Sequence, residues 1–234
     1  MDLSRPGGAT HIAGAMVGSE VRIDVPEGFV YATLTVPSSA VGLVVFAHGS
    51  GSSRHSPRNH AVAAHLNASG LATLLVDLLT PDEELRDRLT AAVRFDIGLL
   101  TRRLETAVRW AMAQPPTARL NLGLFGASTG GAAAIGAASH IEQVRAVVVR
   151  GGRPDLAGDA LLRVRVPTLM IVGGNDEEVL DLNRRACAAM ANCHLAVIPG
   201  ATHLFEEPGA LDEVCRLAVD WFLQHLSRTK GDCT

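Results

Sequence analysis

The sequence predicts an α/β protein built on a mostly parallel twisted sheet with helices on both faces. Three observations lead there. Short continuous apolar runs rich in Val, Leu and Ile recur along the chain, as expected of strands covered on both faces. Helical patterns separate them, and that alternation marks βαβ units. The composition is 47 % hydrophobic but only 4 % aromatic, with 23 glycines, which suits helices packed closely on a sheet.

The elements follow in order. Glu20–Val25 and Phe29–Val36 alternate in polarity around "PEG" and predict an antiparallel hairpin at one edge. "GLVVFA" (Gly42–Ala47) is the first continuous apolar strand. Leu71–Asp77, Leu120–Gly126, Val144–Arg150 and Pro167–Gly173 repeat the pattern, and "HLAVIP" (His194–Pro199) is the last strand. Helical patterns lie at about Pro57–Ser69, Arg94–Gln114, Ser128–Ser139, Glu177–Ala191 and Leu211–Leu226. The second is the clearest, with apolar residues three and four apart, and "PPTARL" ends it. In sheets of this kind ligands sit beyond the C-terminal ends of the strands, so chemistry is sought in the loops there.

The 234 residues suit one domain, taken as 19–228, with 1–18 and 229–234 expected to be loosely held. A net charge of −3 and the lack of a basic stripe argue against a nucleic-acid partner. No apolar run reaches membrane-spanning length, and the start lacks the pattern of a secretory leader. A cytoplasmic monomer or homodimer acting on a small molecule is therefore expected. Cys187, Cys193, Cys215 and Cys233 show no CxxC spacing and read as free thiols, a bridge between Cys187 and Cys193 being the less favoured reading.

The most informative stretch is "LNLGLFGASTGGAAAIGAAS" (Leu120–Ser139). Ser128 stands where a buried strand ends and a helix of small residues begins. A turn this tight strains the backbone and lifts the serine side chain out of the sheet, and Gly126 and Gly130 keep the strand and helix from clashing. The helix N-terminus adds N–H groups and partial positive charge beside the hydroxyl. Small residues in a helix also occur for packing alone, but this position favours a nucleophile.

A serine hydroxyl needs a base, and the base needs an orienting acid. "GNDEEV" puts Asp176 at the end of the strand Pro167–Gly173, and "GATHLF" puts His203 just beyond the last strand. The alternative is that Asp176 caps the following helix, but the acid role is favoured, with Glu177 and Glu178 as substitutes. His194, His140, His225 and His11 lie in places less suited to a base. "VVFAHGSGSSRHSPRN" supplies a glycine- and serine-rich loop after another strand. Its Ser50 N–H, or that of Gly51, would join the Thr129 N–H in holding an oxyanion.

With these pieces the chain resembles the α/β-hydrolase superfamily, and more closely its dienelactone-hydrolase-like group. The resemblance spans about Val41–Leu226 and rests on "HGSGSSR", "GASTG", "GGND" and "GATH". It implies an α/β-hydrolase fold and a Ser128–Asp176–His203 triad acting through an acyl-enzyme. True dienelactone hydrolases carry a cysteine nucleophile, whereas the elbow here holds Ser128, so a serine carboxylesterase is the expected activity. A lactonase, thioesterase or acyltransferase would use the same triad, and a binding protein without turnover is the rival of another class.

Only "GGRPDLAGDALLRVRV" lies where cap domains are commonly inserted, too little for a substantial cap. An open cleft taking small or short-acyl esters follows. Arg54, Arg58, Arg150 and Arg153 could place a guanidinium against a substrate carboxylate. The favoured reading is internal: Arg150 paired with Asp155 or Asp77, and Arg54 pinning its own loop. His55, His60 and His65 recur every five residues, off the spacing of helical metal ligands, and no metal or cofactor is expected.

Overall fold

The computed structural model describes residues 18–227. The segments expected to be loosely held, other than Gly18, and Cys233 lie outside the described residues.

The hairpin forms as expected from β1 (Ser19–Val25) and β2 (Gly28–Thr35), paired antiparallel. β3 (Gly42–Ala47), β4 (Leu71–Val76), β5 (Asn121–Ala127), β6 (Val144–Arg150), β7 (Thr168–Gly173) and β8 (Cys193–Ile198) complete one eight-stranded sheet in the order β1-β2-β4-β3-β5-β6-β7-β8. β2 runs antiparallel to β4, and every pairing from β4 to β8 is parallel.

The helices are α1 (Pro57–Ala68), α2 (Pro81–Thr90), α3 (Ile97–Ala113), α4 (Thr129–Ala138), the one-turn α5 (Ala160–Arg163), α6 (Glu177–Ala189) and α7 (Ala210–Leu226). Alternate residues of a strand face opposite layers. Leu43, Val45 and Ala47 of β3 therefore join the core under α3, α4 and α6, while Val44 and Phe46 join the core under α1 and α7. α4 is buried along its whole length, which explains its run of Gly and Ala: larger side chains would hold it off β5 and β6.

Two expectations are corrected and one element is added. The helix expected from Arg94 begins at Ile97, because the Asp96 side chain accepts from the Leu99 N–H and caps it, leaving Val93–Phe95 as a separate 3₁₀ turn. α2 is an addition. It is polar and leaves Leu85 and Leu89 exposed, so hydrophobic periodicity is silent. Its signal is the capping box at "TPDE", where Thr80 and Glu83 exchange side-chain and backbone bonds. Glu83 also reaches Arg103 of α3 at 2.6 Å, and Glu27 of the hairpin turn meets the same guanidinium at 2.9 Å. Finally, Cys187 and Cys193 are not free thiols but a disulfide, their Cα atoms 5.2 Å apart. α6 turns straight back into β8 through a few residues, which brings the two together; Cys215 stays free and buried.

Candidate active site

The C-terminal ends of β3, β5, β6, β7 and β8 converge on one edge, and the residues singled out in the sequence stand there. Ser128 adopts φ 51°, ψ −120°, a conformation costly for any residue with a Cβ. Its surroundings hold it there. The Ser128 N–H donates to the Arg150 carbonyl at 3.1 Å, and the Ser128 carbonyl accepts from the N–H groups of Gly131 (2.9 Å) and Arg153 (3.2 Å). A Cβ on Gly130 would overlap the Ala47 and His48 carbonyls, and one on Gly126 would overlap the backbone of Gly130 and Gly131. The glycines around the serine are thus required by close approach.

Asp176 occupies the cap position of α6 but makes no capping bond with its side chain. Its Oδ2 instead meets His203 Nδ1 at 2.7 Å. The two loops are stitched by backbone: Gly174 N–H donates to the Ile198 carbonyl (2.8 Å) and Asn175 N–H to the Ala201 carbonyl (2.9 Å), while Asn175 Nδ2 reaches the Gly200 carbonyl (2.9 Å). Gly151, at φ 52°, lets the imidazole lie against the end of β6, since a Cβ there would stand 3.3 Å from His203 Cε1. Ser128 and His203 line the same cavity of about 250 Å³. Among the hydrogen bonds of the described residues none joins them directly, a common looseness before substrate binds.

The loop after β3 lies on the elbow, with a Cβ on Gly49 only 3.1 Å from Ser128 Cβ. Gly51 turns it at φ 68°, and Ser52 N–H closes the turn on the Gly49 carbonyl at 3.2 Å. The N–H groups of Ser50 and Thr129 donate to no acceptor among the described residues, so both are open to an oxyanion. Ser50 lines both the smaller cavity and a neighbouring one of about 460 Å³, which Gly51 and Thr129 also line and whose far wall is α2 and the following turn.

His48 holds this loop in place, a part the sequence signalled only as the start of an HG dipeptide. Its Nδ1 sits 2.9 Å from the Gly49 carbonyl, and its Nε2 accepts from the Leu78 N–H at 3.0 Å. One ring nitrogen donates and the other accepts, so the pair of bonds suits the neutral ring. Burial pushes its pKa below the usual histidine value.

The arginines divide. Arg54 does pin its loop: its N–H donates to Asp77 Oδ1 (2.7 Å), and its guanidinium reaches Asp77 and Glu20, both at 2.5 Å. It lines neither cavity. Arg153 takes Asp155 at 2.7 Å. Both acids expected for Arg150 are therefore used elsewhere, and the expectation that Arg150 pairs internally is wrong. Arg150 is buried, lines the smaller cavity and faces no carboxylate among the described residues.

Among the described residues no helix is long and apolar enough to cross a membrane. The model of the dienelactone hydrolase family matches residues 30–224. A dienelactone hydrolase structure from Anabaena variabilis superposes with a TM-score of 0.87 and 52 % identity, covering 89 % of this chain and 98 % of that one. Est1E from Butyrivibrio proteoclasticus (TM-score 0.75, 18 % identity, 88 % and 98 % covered) and an esterase of Pyrococcus furiosus (0.72, 16 %, 95 % and 97 %) share the fold. Two Mycobacterium tuberculosis proteins, provisionally named phosphoribosyl transferases, are 60 % identical over 195 residues, which is 82 % of this chain. The chain spans only 43 % of the length of these curated relatives. Fold and family model agree: the chain is an α/β hydrolase belonging to the dienelactone hydrolase family.

Proposed function

We propose that this protein is a serine-dependent carboxylic ester hydrolase acting on small or short-acyl esters through an acyl-enzyme at Ser128. The observation that carries the reading is the strained Ser128 beside a histidine whose Nδ1 is held 2.7 Å from Asp176. Strain of this kind persists where the surroundings enforce it, and it presents Oγ above the sheet edge.

In this reading His203 Nε2 takes the proton from Ser128 Oγ as the oxygen attacks the ester carbonyl. The Ser50 and Thr129 N–H groups receive the developing oxyanion. His203, now protonated and steadied by Asp176, gives its proton to the leaving alcohol as the C–O bond breaks. Water then adds to the acyl-enzyme by the same steps, releasing the acid and restoring the serine. The modest volume beside Ser128 supports short acyl groups.

A fluorophosphonate tests the proposal, since it bonds to an activated serine with loss of fluoride. One adduct per chain on Ser128, with parallel loss of esterase activity, is the expected result. No labelling, or labelling of a different residue, contradicts it.

A further inference from the structure

Arg150 ends β6 inside the candidate active site with 6 % of its surface exposed. No carboxylate meets it among the described residues, and its buried Nε has no hydrogen-bond partner. The Phe205 ring lies 5.7 Å from the guanidinium. Burial, and then the positive charge of Arg58, pushes its pKa down to about 10. A desolvated charge without a partner is costly unless something else compensates it.

Arg58 faces the same cavity and its Nε is also buried without a partner. One of its terminal nitrogens meets Glu206 at 3.3 Å on the solvent side. Two guanidinium groups therefore point toward one small space beside Ser128. The N-terminus of the twelve-residue α1 opens on that space too, through Ser56 and Asn59. Pro57 has no N–H and Ser56 Oγ accepts from the Asn59 N–H, so the Arg58 N–H and the helix dipole are what this end of α1 offers an anion. Asn59 Oδ1, buried and unpartnered, adds one acceptor for a hydroxyl. Glu206 already offsets part of the Arg58 charge, so the choice of anion rests on acceptors: a carboxylate offers only two oxygens to the two guanidinium groups. A phosphate monoester is dianionic at neutral pH and offers three acceptor oxygens.

We propose that Arg150 and Arg58 form an anion subsite beside Ser128 that binds a phosphomonoester group carried by the ester substrate. The identity of that substrate as an ester rests on the hydrolase reading; the anion binding does not. The cavity of about 250 Å³ leaves room for the phosphate and a few carbons, so the phosphate lies only a few bonds from the scissile carbonyl.

Inorganic phosphate is the probe, titrated by calorimetry into Ser128→Ala protein, where turnover plays no part. Binding in the millimolar range or tighter is expected. Arg150→Gln and Arg58→Gln in that background should each weaken it by about tenfold or more, and Arg150→Lys should weaken it less than Arg150→Gln because charge remains without the fork. Arg58 is partly exposed, so its variant reports even if the Arg150→Gln protein folds poorly. Acetate, tested alongside, should bind more weakly than phosphate. The subsite is overturned if phosphate does not bind at tens of millimolar, if neither Gln variant weakens it, or if acetate binds as tightly. Ester turnover by wild type is read separately. Turnover without phosphate binding sinks the subsite and spares the hydrolase reading, whereas phosphate binding without turnover does the reverse.

Discussion

Replacing Ser128 by glycine should make the protein more stable than replacing it by alanine. Both variants lose the hydroxyl. Alanine keeps the Cβ at φ 51°, ψ −120°, and so keeps the strain. Glycine relieves it, because it visits positive φ without the steric cost. A residue held in so sparsely populated a region costs about 1–3 kcal/mol. Glycine returns about 0.5–1 kcal/mol through the greater freedom of its unfolded chain. The balance favours glycine by about 0–2.5 kcal/mol, roughly 1.3 kcal/mol at the middle of the ranges. For a domain of roughly this size, each kcal/mol moves Tm by about 2–4 °C, so at the middle of that range Ser128→Gly should melt about 3–5 °C above Ser128→Ala. Calorimetric melting of the two variants side by side reads this directly. A glycine variant melting at or below the alanine variant would show that the elbow is not strained and would remove the main argument for Ser128 as a presented nucleophile.

Asp176→Asn should lower kcat by about 10³–10⁴ with little change in KM, because the imidazole loses the group that fixes its tautomer and steadies its charge; steady-state kinetics on a short nitrophenyl ester decides, and a loss under tenfold would remove Asp176 from the catalytic group. His48 gives a pH-dependent stability. Its folded pKa lies below the 6.5 of an ordinary histidine, so the unfolded chain takes up the proton first as pH falls. Its contribution is complete above about 6.5 and is lost as pH drops below that value through the folded pKa. Urea unfolding at pH 7.5 and 5.5 should show a smaller pH effect in His48→Gln than in wild type, and an equal effect would contradict the clamp. Reduction of the Cys187–Cys193 bridge, which closes a loop with a sequence separation of six, should cost roughly 2 kcal/mol. Melting with and without dithiothreitol tests it. Ester turnover should survive, because Cys193 opens β8 at the edge opposite the strand ends that carry the site.

Much of this was legible in the sequence because buried parallel strands must be continuously apolar. That requirement placed β3 and β6 to the residue and the other strands within a residue or two. Ser128 and Asp176 were legible for a related reason, since one follows directly on such a strand and the other lies in the short turn after another, while His203 lies in the loop after the edge strand β8. α2 was not, since a polar helix lying on a loop leaves no periodic signature, and its capping box was the only local mark. The fate of Arg150 was hidden because ion pairing depends on which acids the fold leaves free. Asp155 and Asp77 are plausible partners along the chain, yet Arg153 and Arg54 claim them in space. The disulfide escaped because its spacing matches no redox or metal motif and is set by the tight return from α6 into β8.

The most direct test is hydrolysis of 4-nitrophenyl acetate, butyrate and octanoate by wild type and Ser128→Ala. The account predicts turnover that favours the short chains and disappears in the variant. Activity that survives in folded Ser128→Ala protein would contradict it.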